Sequence, residues 1–130
     1  MDDNVGSKPN GSGIKRIFKA FNCSVKGFKA AYVHEAAFRQ ELLLCAFLLP
    51  ISFIIATSMT HWLILISTLL FLLFAEVINS AIEALADRIS IEHHELIGRA
   101  KDLGSAAVFI AFSILAVCWL SIAYIFLTTL

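Results

Sequence analysis

The sequence predicts an all-α membrane protein with three transmembrane helices and an amphipathic surface helix at its N-terminal end. Two charge-free runs and one helical periodicity carry that prediction. No Asp, Glu, Lys or Arg occurs from Leu42 to Ala75 or from Leu103 to Leu130. The apolar residues Ile14, Ile17, Phe18, Phe21, Val25, Phe28 and Tyr32 recur at helical spacing. Composition agrees, since 59% of the 130 residues are apolar and 15% are charged, against roughly 45–50% and about 25% in soluble domains. A typical soluble enzyme is thereby excluded. Ten Lys and Arg balance ten Asp and Glu, which removes any global electrostatic ground for nucleic-acid binding. Cys23, Cys45 and Cys118 show neither paired nor metal-type spacing, so no disulfide framework follows.

Residues 1–13 form a polar, glycine-punctuated stretch expected to be a disordered tail, with no apolar region of the kind a signal peptide needs. The surface helix is expected over about 14–33. At about 100° per residue its apolar side chains fall in one arc, and Lys15, Arg16, Lys19, Lys26 and Lys29 fall outside it. Such a helix lies flat on a membrane with its basic face toward anionic headgroups. Packing the same apolar face on the transmembrane bundle is the alternative, and the two are compatible.

As one helix, Leu42 to Ala75 would extend about 50 Å, well past a hydrocarbon core of about 30 Å. The chain must fold back. The only polar cluster in the run, Thr57-Ser58-Met59-Thr60-His61, marks the break, with Trp62 beside it as an interfacial aromatic. The first transmembrane helix is therefore expected over about 36–56, with Pro50 as a local kink. Trp62 to Ala75 covers only about 21 Å and cannot cross alone. The second helix, about 62–86, must continue through Glu76 and Glu83, carrying carboxylates into or beside the membrane. A third, about 104–128, spans unaided. Basic residues precede the first helix and lie between the second and third, at Arg88, Arg99 and Lys101, and none lies in the first turn. The positive-inside rule then sets the N-terminus in the cytoplasm. The whole is one membrane domain, 14–130, behind its tail.

Glu76, Asn79, Glu83 and Asp87 are separated by three, four and four residues, so they share one face of the second helix, with Ser80 next to them. An unpaired carboxylate in lipid costs several kcal/mol, so these groups must face protein, water or a cation. A helix end emerging into water accounts for Asp87 and can account for Glu83, but serves Glu76 poorly. Two charged clusters meet this face, His34 to Glu41 and Arg88 to Asp102. Within the first, Glu35 and Arg39 are spaced to pair with each other. Together these groups offer carboxylates for Mg²⁺, a carboxylate base and cations for phosphate oxygens, the parts that phosphoryl transfer requires.

Other motifs fail. His94-Glu95-Leu96-Ile97-Gly98 lacks the second histidine of a zinc protease helix, and adjacent His93 and His94 diverge by about 100° on a helix. No Walker lysine loop or soluble-kinase catalytic loop occurs. The small residues Gly98, Ala100, Gly104, Ser105, Ala106, Ala107 and Ala111 fit close helix packing.

Four segments resemble the small prokaryotic diacylglycerol kinases: 22–27 (NCSVKG), 35–41 (EAAFRQE), 76–88 (EVINSAIEALADR) and 94–108 (HELIGRAKDLGSAAV). The similarity covers nearly the whole chain after the first dozen or so residues. It implies an integral membrane homotrimer, with active sites between subunits, that transfers the γ-phosphoryl group of MgATP to diacylglycerol in the bacterial inner membrane. By the same resemblance Glu76 is the general base, and Glu35 and Glu83 hold Mg²⁺ against the nucleotide. Arg16, Cys23, Glu92, His93, His94, Lys101 and Asp102 match further ATP-binding positions. Arg16, Ala37, Phe38, Arg39, Gln40, Glu41, Asn79 and Ser105 match positions near the lipid, as Glu76 does. The chain departs from many relatives at Cys23 and Val25, where they carry aromatics, and at His34, where asparagine is common. Undecaprenol, the substrate of related small kinases, is the alternative lipid. A nonenzymatic channel or scaffold would explain buried acids but not the paired acidic and basic clusters.

Overall fold

The computed structural model describes residues 12–89 and 94–130. Four helices account for nearly all of them: α1 (Ile14–His34), α2 (Ala36–Ile55), α3 (Met59–Ile89) and α4 (Glu95–Thr128). No strand occurs among the described residues. Helices α2, α3 and α4 are each long and apolar enough to cross a membrane.

A single extended residue separates α1 from α2. Glu35, at φ −113° and ψ 105°, ends one helix and begins the next. The last carbonyls of a helix have no partner within it, and here Arg39 reaches back to fill two of them. Its Nη1 donates to the carbonyls of Tyr32 at 2.7 Å and Val33 at 3.1 Å. The guanidinium thereby serves the corner, and the ion pair with Glu35 that the spacing allows is not formed. α1 touches the bundle through α2 and α3, and Ala31 near its C-terminal end is its one buried residue. Its apolar side chains, Ile14 through Tyr32, are exposed on the isolated chain.

α2 passes through Pro50 without interruption and ends at Ile55, with Ala56 extended after it. The turn falls in the polar cluster. The backbone N–H of His61 donates to Ser58 Oγ at 3.1 Å, while Thr57 Oγ1 and His61 Nδ1 share a hydrogen bond of 2.9 Å. Trp62 closes the turn against Phe53, with ring centroids 5.3 Å apart.

α3 and α4 pack along most of their length. Contacts at Asp87–Lys101, Asn79–Gly104 and Thr68–Trp119 run in opposite directions along the two helices, which fixes them as antiparallel. Leu65, Leu72 and Ala111 are fully buried in the core they form. At about 1.5 Å per residue α3 and α4 extend about 46 and 51 Å, past a hydrocarbon core of about 30 Å. The excess lies at the shared end that carries Glu83, Asp87, Arg88, Glu95, Arg99 and Lys101. α4 begins at Glu95, nine residues before Gly104, where its apolar run is under way. His94 Nδ1 accepts from the Leu96 N–H at 3.2 Å, and Arg99 meets Glu95 at 3.4 Å, so local bonds start the helix in its polar segment.

One buried polar chain ties the core together. Trp119 Nε1 donates to Thr68 Oγ1 at 3.0 Å, and that hydroxyl donates to the Leu65 carbonyl at 2.7 Å. Thr68→Val keeps the shape and strands the indole N–H. We expect it to lower the unfolding free energy in detergent micelles by about 1 kcal/mol, with Trp119→Phe adding little on top. Independent, additive losses from the two substitutions would show that they do not share a bond.

Candidate active site at the polar end of the bundle

The antiparallel register of α2 and α3 brings Glu41 opposite Glu76. Both are deep in the bundle, 7% and 3% exposed, with their carboxyl groups adjacent. Ser80 Oγ, one turn along α3, donates to Glu76 Oε1 at 3.5 Å, and Glu41 Oε2 is buried without a partner. Two carboxyl groups this close in a low-dielectric setting share a proton or recruit a cation, because two adjacent anions repel and neither is solvated.

Toward the end of the bundle the site opens. Glu35 at the α1–α2 corner and Glu83 on α3 are half-buried and lie on the same side of the bundle as Glu76. Asn79, 8% exposed, donates from Nδ2 to Glu83 Oε1 at 3.4 Å, and its Oδ1 is buried without a partner against Gly104 of α4. One turn beyond Glu83, Asp87 accepts from Lys101 Nζ at 2.6 Å. That pair is largely solvated, with side-chain exposures of 67% and 42%, so it orients the lysine more than it stabilises the fold. The layers therefore run from two buried carboxyl groups, through an amide-held carboxylate, to an exposed ion pair.

The structure brings together Glu35, Glu41, Glu76, Asn79, Glu83 and Lys101. Of the segment 37–41, Phe38 and Glu41 point inward, whereas Ala37, Arg39 and Gln40 are exposed. Asp102 and Ser105 are exposed on α4, and His94 is occupied at its start. Glu92 and His93 lie outside the described residues, as do residues 1–11 of the tail. Arg16 and Cys23 are not brought to the cluster by this chain alone. They line a shallow depression of about 290 Å³ with Lys19 and Ala20, and Arg16 stands about 28 Å along α1 from Glu35.

Three contacts were not readable from spacing along the chain: Glu41 against Glu76, Gly104 against Asn79, and Asp87 with Lys101. A signal existed for the first, because Phe38, Glu41 and Cys45 fall at helical spacing and all are buried. Among the described residues no three His, Cys, Asp or Glu side chains converge as a metal cluster.

A family model described as prokaryotic diacylglycerol kinase matches residues 22–123. The chain is 45% identical over 111 residues to a diacylglycerol kinase of Pseudomonas aeruginosa, covering 85% of this chain and 90% of that one. To that of Escherichia coli strain K12 it is 44% identical over 118 residues, covering 85% and 90%. To that of Haemophilus influenzae it is 40% identical over 108 residues, covering 83% and 92%.

Proposed function

The chain belongs to the prokaryotic diacylglycerol kinase family, and on that premise we propose that it transfers the γ-phosphoryl group of MgATP to the free hydroxyl of diacylglycerol at the cytoplasmic face of the bacterial inner membrane. The observation that carries this reading is the burial of Glu76 inside an apolar bundle, beside a second carboxyl group and two turns from the half-buried Glu83. A lipid hydroxyl arrives from the membrane and a nucleotide from the aqueous side. Glu76 stands between the two.

In the reaction the Glu76 carboxylate takes the proton of the diacylglycerol hydroxyl as that oxygen bonds to the γ-phosphorus. The bond from this phosphorus to the bridging oxygen breaks, leaving ADP and phosphatidic acid. General-base assistance of this kind contributes typically about 10²–10⁴-fold. Ala37, Phe38, Arg39, Gln40, Glu41, Asn79 and Ser105 belong to the lipid side of the site, Arg16 serves both substrates, and Lys101, Asp102, His94, Glu92, His93 and Cys23 serve the nucleotide.

Glu35 and Glu83 would hold Mg²⁺. Their hard carboxylate oxygens fit that ion. Mg²⁺ ordinarily takes one or two carboxylates and completes its shell with water and substrate phosphates. Bound with ATP, it neutralises charge on the transferring group. A homotrimer supplies what one chain lacks: the distance of Arg16 and Cys23 from Glu76 and the exposed apolar side chains along α1 both favour a site completed by a neighbouring subunit. The basic residues of α1 and of the α3–α4 segment favour a cytoplasmic N-terminus.

Glu76→Gln should yield a folded membrane protein whose phosphorylation of diacylglycerol is at least about 100-fold slower, and a near-normal rate would remove Glu76 from this role. Glu35→Ala and Glu83→Ala should each raise the Mg²⁺ concentration that gives half-maximal rate. Superimposable Mg²⁺ titrations would reject them as ligands.

A further inference from the structure

We propose that Gly104 is a positioning residue for Glu83: the missing side chain at this point of α4 keeps the Asn79 amide turned so that its Nδ2 holds the Glu83 carboxylate. The inference rests on the reading of Glu83 as a Mg²⁺ ligand and goes beyond it, to how that ligand is aimed from another helix.

Gly104 lies inside the 34-residue α4, where glycine is a poorer helix former than alanine. Backbone conformation gives no reason for it, because only Gly13 among the described residues has a positive φ. Space does give one. A Cβ built at Gly104 would collide with Asn79 Oδ1, while standing 3.4 Å from Asn79 Cγ and 3.6 Å from Ile82 Cδ1. Gly27, by contrast, has open space where its Cβ would be.

The Asn79 side chain is thus fixed from two sides. Its Oδ1 is buried against the α4 backbone without a hydrogen-bond partner, and its Nδ2 donates to Glu83 Oε1 at 3.4 Å. Turning the amide over would point a carbonyl oxygen at a carboxylate, which is repulsive. Any side chain at residue 104 forces the amide to rotate, because its outer atoms are what the new Cβ meets, and the hydrogen bond to Glu83 is lost with the rotation. Groups that orient a metal ligand through a hydrogen bond typically matter about 10–100-fold in metal affinity or activity.

The experiment uses the full chain in detergent micelles or bilayers. Mn²⁺, as a spectroscopic substitute for Mg²⁺, is titrated by electron paramagnetic resonance in the presence of a nonhydrolysable ATP analogue, beside Mg²⁺ titrations of the rate. Gly104→Ala should weaken Mn²⁺ binding and raise the half-saturating Mg²⁺ about tenfold, with resistance to unfolding kept or improved because alanine favours the helix. Asn79→Ala should weaken both to a similar extent, and Gly104→Ala added to it should change nothing further, the collision having been removed. Unchanged metal binding in Gly104→Ala, beside a shifted Glu83→Ala, overturns the inference alone. An unshifted Glu83→Ala overturns both the inference and the metal reading on which it rests. A Gly104→Ala effect that persists in the Asn79→Ala background also overturns it. If Gly104→Ala does not fold, the Gly104→Ala/Asn79→Ala double variant must recover folded protein, and failure to do so overturns the inference as well.

Discussion

The length of one apolar run governs the rest of the molecule. Trp62 to Ala75 is too short to cross a bilayer, so α3 completes its passage with Glu76 and the polar residues that follow. A carboxyl group there has no water to solvate it, and the surrounding helices are arranged around that need. α2 sets Glu41 against it, Ser80 donates to it, and the next turns of α3 carry the partly exposed acids outward. A group so costly to bury is retained where chemistry uses it.

The apolar core and the carboxylate cluster occupy different parts of the same helix pair. The middle of α3 and α4 is an apolar core around Leu65, Leu72 and Ala111, linked across the two helices by the Trp119–Thr68 hydrogen bond. This rigid stretch sets the antiparallel register, and the register determines what meets at the polar end: Asn79 under Gly104, and Asp87 beside Lys101. The helices can continue past the hydrocarbon because local bonds support their polar turns. His94 caps α4, Glu95 pairs with Arg99, and Arg39 closes the end of α1.

The helical class, the reversal near Thr57 to His61 and the shared face of Glu76, Asn79, Glu83 and Asp87 were legible in the sequence, because each follows from the spacing or length of consecutive residues. The start of α4 at Glu95 was less so, since apolar content marks where a helix can enter lipid and not where hydrogen bonding begins. Contacts between helices were the least legible. Glu41 and Gly104 reach Glu76 and Asn79 only through the register of α2 on α3 and of α4 on α3, which no single segment specifies. Arg39 likewise stands four residues from Glu35, yet the one-residue corner turns it toward the carbonyls of α1. The four segments that resemble diacylglycerol kinases supplied what spacing could not, namely which of several acids to regard as base and which as metal ligands.

Phosphorylation of a glyceride at the membrane surface is the central role proposed for this carboxylate face. The most direct measurement supplies γ-labelled ATP and Mg²⁺ to the purified chain in bilayers containing diacylglycerol or undecaprenol, and follows label into each lipid and ion flux across the membrane. Labelled phosphatidic acid is the expected main product, dependent on both Mg²⁺ and diacylglycerol. Label entering undecaprenol alone, or ion flux without any phosphoryl transfer, would contradict it.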